Sequence, residues 1–452
     1  MNRVKQLLWK FKTYLSSPVV AWAARKSGFI RRQRILDAES FVMTLVTACM
    51  AQPEVTYTSL AQTGALLGAP LSPQAWAQRF TREAAAFLYE VLQGVVALRI
   101  AEAFPRLHTL LQRFRAIYIR DSTQISLPQA LSPLWPGCGG RRGPTASLKV
   151  HVRFEYLSGL LEGPALDPGR AHDRHTPYRW DQEPPESLCL HDLAYFNLDE
   201  VAHRLERGQH VLIRYKQGTH LYTSPTAPTP FDLIGWLRSL SGPYGQRVVW
   251  VGKRHRLRMR VVAFRLPPEQ AARRRQRLKE WGRKHQRPVS KASRFLAGWV
   301  IFLVSLDEED LSVEEIAVLA RLRWQIEILF RLWKQHGRIH RWRSQNPWRI
   351  LCEVYAKLIG VVLMHWLFLL CWPYRLDFSI LKGGQAVTKI ALALMGALLR
   401  QKWTEVHRLL KSLFGCFAKT CRIHRRRKLP ATFQLIEEPA LAIPNNFDIL
   451  NA

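Results

Sequence analysis

Three carboxylates in this chain have the type and setting for phosphoryl-transfer chemistry. Asp121 ends the β-branched run AIYIRDST, Asp192 ends SLCLHD, and Glu327 lies in LSVEEIAVLARLRWQIEILFRLWKQ, which reads as one long helix. Displacement at a phosphodiester needs two divalent cations about 3.5–4 Å apart, bridging the phosphate and activating both entering and leaving oxygens. Mg²⁺ takes oxygen ligands and keeps several waters, so two or three carboxylates suffice. Each acid alone has a plainer reading, since a strand-end Asp commonly caps a turn and a helical Glu among arginines commonly pairs with one. At about 100° per residue, Arg323, Glu327 and Lys334 fall within about 40° of one another on one stripe. Glu327 can there hold a metal while Arg323 and Lys334 grip neighbouring phosphates, or the three can form an ion-paired surface face.

Those residues need strands to carry the aspartates and a helix to carry the glutamate. The first 115 residues read as helices, with apolar positions at three- and four-residue spacing in FVMTLVTACM and WAQRFTREAAAFLYEVLQGVVALRIAEAF. The period then changes. AIYIRDST is a short inner strand with Asp121 at its end. ASLKVHVRFEY alternates Leu148, Val150, Val152, Phe154 and Tyr156 with Lys149, His151, Arg153 and Glu155, which predicts a half-buried strand with a polar face. LLEGPALDPG predicts a third strand, SLCLHD a buried strand ending at Asp192, LDEVAHRLERG a helix and QHVLIRYK another strand. THLYTSP, VVWVGKRHRLRMRVVAFRLP and WVIFLVSL predict more strands, with the cationic helix EQAARRRQRLKEWGRKHQR among them. Apolar helices follow to the C-terminal side, and then the basic patch RIHRRRKLP.

Composition narrows the partner. Against 67 Lys+Arg stand 34 Asp+Glu, a formal net charge of +33, and such a surplus signals a polyanion. The basic residues are spread over several regions, which favours nucleic acid over a membrane surface. Lys253 to Arg294 holds 16 Lys+Arg and two acids, a density that repels itself unless a polyanion neutralises it. The seven cysteines form no CxxC pair and read as reduced thiols. Lys10 and Lys12 break the apolar stretch at the start, which argues against a secretory signal. The run Leu358 to Trp372, with His365 inside, is short for a membrane span and reads as a buried helix, so the chain is expected to be soluble. His172, Asp173 and His175 in AHDRHTP have metal-ligand chemistry, but a polar loop accounts for them. Cys189 beside His191 lacks the surroundings of a nucleophile.

RLRWQIEILFRLWK resembles the Arg-Glu-Lys part of the Tyr-Arg-Glu-Lys signature of DDE transposases from bacterial insertion sequences of the type-four group. Arg, three residues, Glu, six residues, Lys is met by Arg323, Glu327 and Lys334. RDST at 120–123 is similar to that family's first-aspartate strand, ASLKVHVRFEY to its second strand, and LCLHDLAYF to its second-aspartate block. The blocks fall in order between about residues 110 and 350.

The resemblance implies an α/β fold in which a ribonuclease-H-like core is interrupted by a β-rich basic insertion and flanked by helical regions. The boundaries expected are 1–115 for a helical DNA-end recognition region, 116–216 and 306–350 for the two parts of the core, 217–305 for the insertion, and 351–452 for a helical C-terminal region. It implies a transposase that binds inverted-repeat ends and performs Mg²⁺-dependent strand cleavage and transfer, with Asp121, Asp192 and Glu327 as catalytic metal ligands and Mn²⁺ as a substitute ion. Arg323 and Lys334 would position phosphates. Double-stranded DNA, both transposon end and target, is the expected partner, with a homodimer in the DNA complex and no membrane. The expected location is the bacterial cytoplasm, at the nucleoid. Trp299 matches a tryptophan that stacks on a flipped base in some relatives, although strand tryptophans are commonly core. Ala320 departs from the signature, which has tyrosine there; Arg321 or Arg331 is the candidate to make that phosphate contact instead. Two alternatives stay open: a ribonuclease-H-like nuclease that does not join, and a non-catalytic DNA-binding protein descended from a transposase.

Overall fold

The computed structural model of the chain describes residues 9, 17–30, 36–52, 54–97, 108–140, 143–173, 176–178, 180–369, 371–372 and 375–443. Lys10, Lys12, the IAEAFPR stretch from Ile100 and His175 lie outside them. The N-terminal third is helical: α1 (Ser17–Lys26), α2 (Ala38–Ala51), α3 (Tyr57–Leu67), α4 (Pro73–Ala77), α5 (Arg82–Val96) and α6 (Thr109–Gln112). Side-chain oxygens of Asp37, Thr56, Ser72 and Thr81 accept from backbone N–H groups of the first turns they precede, which fixes where α2 to α5 begin.

The strands follow: β1 (Ala116–Leu127), β2 (Ala146–Glu155), β3 (Leu160–Pro168), β4 (Ser187–His191), then α7 (Leu198–Glu206) and β5 (His210–Arg214). Next come β6 (Leu221–Tyr222), α8 (Leu233–Ser239), β7 (Tyr244–Val251), β8 (Leu257–Arg265), α9 (Pro268–Lys284), α10 (Lys291–Leu296) and β9 (Trp299–Val304). All nine strands form one sheet in the order β3-β2-β1-β4-β5-β9-β8-β7-β6. β1 is antiparallel to β2 and parallel to β4, β4 is parallel to β5, and β9 closes onto β5 antiparallel.

Period-2 alternation sorts side chains to the two faces of this sheet. Ile117, Ile119, Leu188, Leu190, Leu212 and Phe302 enter one core, shared with the helices. Cys189, Val211, Ile213, Ile301 and Leu303 enter a second core on the opposite face.

The helices that complete the first core are α11 (Val313–Leu322), α12 (Trp324–Gln335), α13 (Pro347–Phe368), α14 (Ile380–Leu399), α15 (Trp403–Thr420) and α16 (Thr432–Glu437). α13 contains most of the Leu358 to Trp372 run. It has the length and composition of a membrane span, yet its apolar window is wholly buried inside the protein. All seven cysteines are free thiols.

Three expectations are corrected. The segment around Glu327 is two helices, not one: the hydrogen-bond ladder is interrupted at Arg323, where Ile326 N–H instead reaches the Arg323 carbonyl at 3.3 Å. Arg323 keeps right-handed helical torsions (φ −52, ψ −33), so the chain continues in nearly the same direction. Asp121 does not end its strand, because β1 runs six residues further on its antiparallel pairing with β2, as far as Leu127 opposite Ala146. The polar face of β2 is not solvated: His151, Arg153 and Glu155 are buried, Arg153 paired with Glu183, His151 with Asp167, and Glu155 accepting from the Ile117, Leu157 and Ser158 N–H groups.

Candidate active site

The parallel register places the candidate residues. Ile119 lies beside Leu190, and Leu190 beside Leu212. Two residues on along each strand come Asp121, Asp192 and Arg214, a row across the carboxyl ends of the parallel ladder. Alternation turns all three toward the face that Ile119, Leu190 and Leu212 occupy, which is where α12 packs through Ile326, Leu329 and Trp333. Glu327 lies on that helix.

Electrostatics tie the group together. The Asp121 carboxyl is pushed up to about 6, chiefly by burial, with the charges of Asp192 and Glu327 adding to the rise and Arg323 opposing it. Arg214 is drawn down to about 10 by burial and by the repulsion of Arg274 and Arg323, while Asp192 and Glu327 pull the other way. Arg214 and Arg274 were not singled out in the sequence. The signal was there for Arg214, a cation closing the apolar strand HVLIR, but only the register of three strands reveals its neighbours.

Each carboxylate has one oxygen engaged. Asp121 Oδ1 accepts from Ser122 N–H at 2.8 Å, Asp192 Oδ1 from Leu193 N–H at 2.7 Å, and Glu327 Oε1 from Arg323 Nη2 at 2.9 Å. Carboxylate oxygens of this kind are the hard donors that a divalent cation takes. Among the described residues, no three His, Cys, Asp or Glu side chains converge as a ready-made metal site.

The other candidates are spread out. Lys334 is half-buried on α12 and Arg331 is exposed. Ala320 is half-buried on α11, against the first core, and not on the helix of Glu327. Trp299 is 6% exposed, packed in the second core with Arg265 over its ring at 4.9 Å, so its indole is not offered to a ligand. Asp173, read from sequence as part of a polar loop, accepts from Ser122 Oγ at 2.6 Å and pairs with Lys149 at 3.2 Å, which steadies the residue after Asp121.

Beneath the row, on the opposite face, lies a buried ion chain. Arg120 pairs with Glu200, Glu200 with Arg204 at 3.0 Å, Arg204 with Glu183 at 2.5 Å, Glu183 with Arg153 at 3.1 Å, and Arg153 with Glu162 at 2.5 Å. Arg120 also donates to His191 Nε2 at 3.1 Å. The residues immediately before the two aspartates are thus bonded to each other, fixing β1 against β4. Burial, then Arg120 and Arg204, hold the His191 imidazole well below its ordinary value, so it is the neutral acceptor.

Residues 112–363, more than half of the chain, match the family described as Transposase DDE domain. The chain belongs to that family of DDE transposases. It is similar to the transposase of insertion sequence element IS231F from Bacillus thuringiensis subsp. israelensis, 27% identical over 380 residues, 78% of each chain. It is also similar to the transposase of IS231E from Bacillus thuringiensis subsp. finitimus, 25% identical over 436 residues and 91% of each chain. The transposase of IS1151 from Clostridium perfringens is 23% identical over 366 residues, 75% of this chain and 76% of that one. The family makes this transposase a DNA-transferring enzyme with divalent-metal dependence, and it implies a ribonuclease-H-like fold. All three candidate carboxylates lie inside the matched segment.

Proposed function

We propose that this transposase binds the inverted-repeat ends of an insertion sequence of the Tyr-Arg-Glu-Lys group and performs Mg²⁺-dependent strand cleavage and strand transfer at Asp121, Asp192 and Glu327. The observation that carries the reading is that two strand-borne aspartates in adjacent register and a helix-borne glutamate share one face, with Asp121 feeling the charge of both others. Bound Mg²⁺, with Mn²⁺ as a substitute, would supply charge neutralisation and activation of the attacking oxygen. Asp121, Asp192 and Glu327 would hold it.

Arg323 holds Glu327 and stands ready to pair with a phosphate instead. The charge of Arg274 opposes that of Arg214, and an anionic phosphodiester would relieve that repulsion. Lys334 and Arg331 extend the cationic lining along α12. The core would comprise 116–216 and 306–350. Its five strands, in the order β3-β2-β1-β4-β5, continue into an insertion over 217–305, whose β9 joins the sheet at β5. The helices of 1–115 would read the end sequence, and those of 351–452 would form dimer contacts in the DNA complex. The expected location is the cytoplasm, at the nucleoid. Trp299 has no role in base stacking in this reading.

Asp121→Asn, Asp192→Asn and Glu327→Gln, each assayed for Mg²⁺-dependent nicking of an end duplex, should abolish cleavage and leave DNA affinity within a few-fold, because phosphate contacts are untouched. A variant that cleaves like the wild type removes its residue from the trio. Cleaved ends that never join to target would favour a nuclease.

A further inference from the structure

We propose that the cleft between α9 and the segment returning to α10 is a separate binding site for the phosphodiester backbone of double-stranded DNA. This rests on the reading of the chain as a transposase and adds a second place where DNA is held. The cleft encloses ≈ 680 Å³, and Arg275, Lys279, Arg283, Arg287 and Arg294 line it together with no acidic side chain. All five are exposed, and among the described residues none of them pairs with a carboxylate. Glu280, an acid on the same helix, is engaged by Gln276 at 2.9 Å and does not line the cleft.

The cleft is built by backbone as well as by charge. At Gly282 a Cβ would meet the Arg287 carbonyl oxygen at 2.8 Å and Val289 Cγ2 at 2.9 Å, so glycine lets the return segment seat on the helix. Arg287 N–H donates to the Gly282 carbonyl at 2.9 Å, and Arg275 Nε donates to the Arg294 carbonyl at 3.2 Å, which ties the far wall to the helix. Arg275, Lys279 and Arg283 follow at four-residue steps along one stripe. Like charges so placed destabilise a helix unless an anion compensates them. They span about 12 Å, the rise of three to four nucleotides along one DNA strand.

The stripe also points away from the catalytic row. Arg274, which donates to the Trp299 carbonyl at 2.9 Å and acts on Arg214, lies about 100–180° round the helix from Arg275, Lys279 and Arg283. One helix thus presents a cation to the active site on one flank and a backbone groove on the other, which suits DNA that passes over the protein without being cut at that point.

The test uses the full chain and a labelled blunt duplex of arbitrary sequence, with affinity measured across a salt series. The variant Lys279→Gln/Arg283→Gln/Arg287→Gln should lose about 2.7 from the slope of log K against log salt, about 0.9 per phosphate contact, and Arg287→Gln alone about 0.9. A control with exposed lysines changed elsewhere, Lys389→Gln/Lys411→Gln/Lys419→Gln, should keep the wild-type slope. A wild-type slope in the cleft variants overturns the site, and so does an equal fall in the control, which would show diffuse charge at work. If the wild-type chain does not bind the duplex at all, the DNA reading itself fails, a result distinct from either.

Discussion

Glu200→Gln should destabilise the protein by about 3 kcal/mol, and adding Arg120→Met should restore about a third of that loss instead of deepening it. The ion chain under the aspartates joins three cations, Arg120, Arg153 and Arg204, to three anions, Glu162, Glu183 and Glu200, and the arginine side chains are 0–3% exposed. Neutralising Glu200 leaves three buried cations on two anions. Removing one partner of a buried pair costs about 3–5 kcal/mol, and the 18% exposure of Glu200 puts this case at the lower end. With Arg120 also removed, two cations again face two anions. The remaining loss is then the Arg120 hydrogen bonds to Tyr178 O and His191, at about 1 kcal/mol each. Arg120→Met alone strips Glu200 of one partner and should cost about 2–3 kcal/mol. Additivity would make the double variant about 5–6 kcal/mol worse than wild type, whereas the ion chain makes it about 2, a coupling near 3 kcal/mol. Urea unfolding followed by circular dichroism, with matched m values, measures all four corners of the cycle. Additivity within about 0.5 kcal/mol, or a Glu200→Gln loss below about 1, would refute the reasoning. Because Arg120 and His191 immediately precede the aspartates, Glu200→Gln should also raise the Mg²⁺ concentration needed for half-maximal nicking.

Trp299→Ala should cost about 3–5 kcal/mol and reduce every reaction step alike, since the indole is core. A variant that melts like the wild type but stalls at one step would return Trp299 to a DNA-facing role. His365 is buried, bonded to the Gly159 carbonyl at 2.7 Å, and drawn down to about 4 by burial. Its folded value lies below the unfolded 6.5, so its stabilisation is full above pH 6.5 and is lost as pH falls toward 4, by at most about 3 kcal/mol. Stability measured from pH 7 to pH 4 should therefore fall less steeply in His365→Gln, and parallel curves would remove His365 from the acid response.

Much of this was legible in the residues. The strands around Asp121 and Asp192 announced themselves by β-branched runs, and β2 by its alternation. The stripe through Arg323 and Glu327 survived as an ion pair although the helix is broken between them, because four-residue spacing holds across a junction with helical torsions. What sequence could not supply was depth. The alternation of β2 reads the same whether its polar face meets water or a second layer of charge, and only the Glu183 segment folding over Arg153 decides it. Likewise Trp299 is an apolar side chain on a strand in either reading, and the side of the sheet it takes comes from pairing with Arg265. Arg214 gains its neighbours from register across three strands, a relation between segments far apart in the chain.

The joint between β5 and β9 gives the sheet a mechanical meaning. Arg214, at the end of the candidate row, sits opposite Phe302, and the next residue, Tyr215, donates its N–H to the Ile301 carbonyl at 2.8 Å, two residues from the point where the cationic α9–α10 arm enters β9. Strands linked by backbone hydrogen bonds resist sliding past one another, so the arm is stiffly coupled to the row rather than hung on a hinge. If the arm holds DNA as proposed, tension on that DNA would reach Arg214 as shear along one ladder, and the arm and the candidate row would move as one lever.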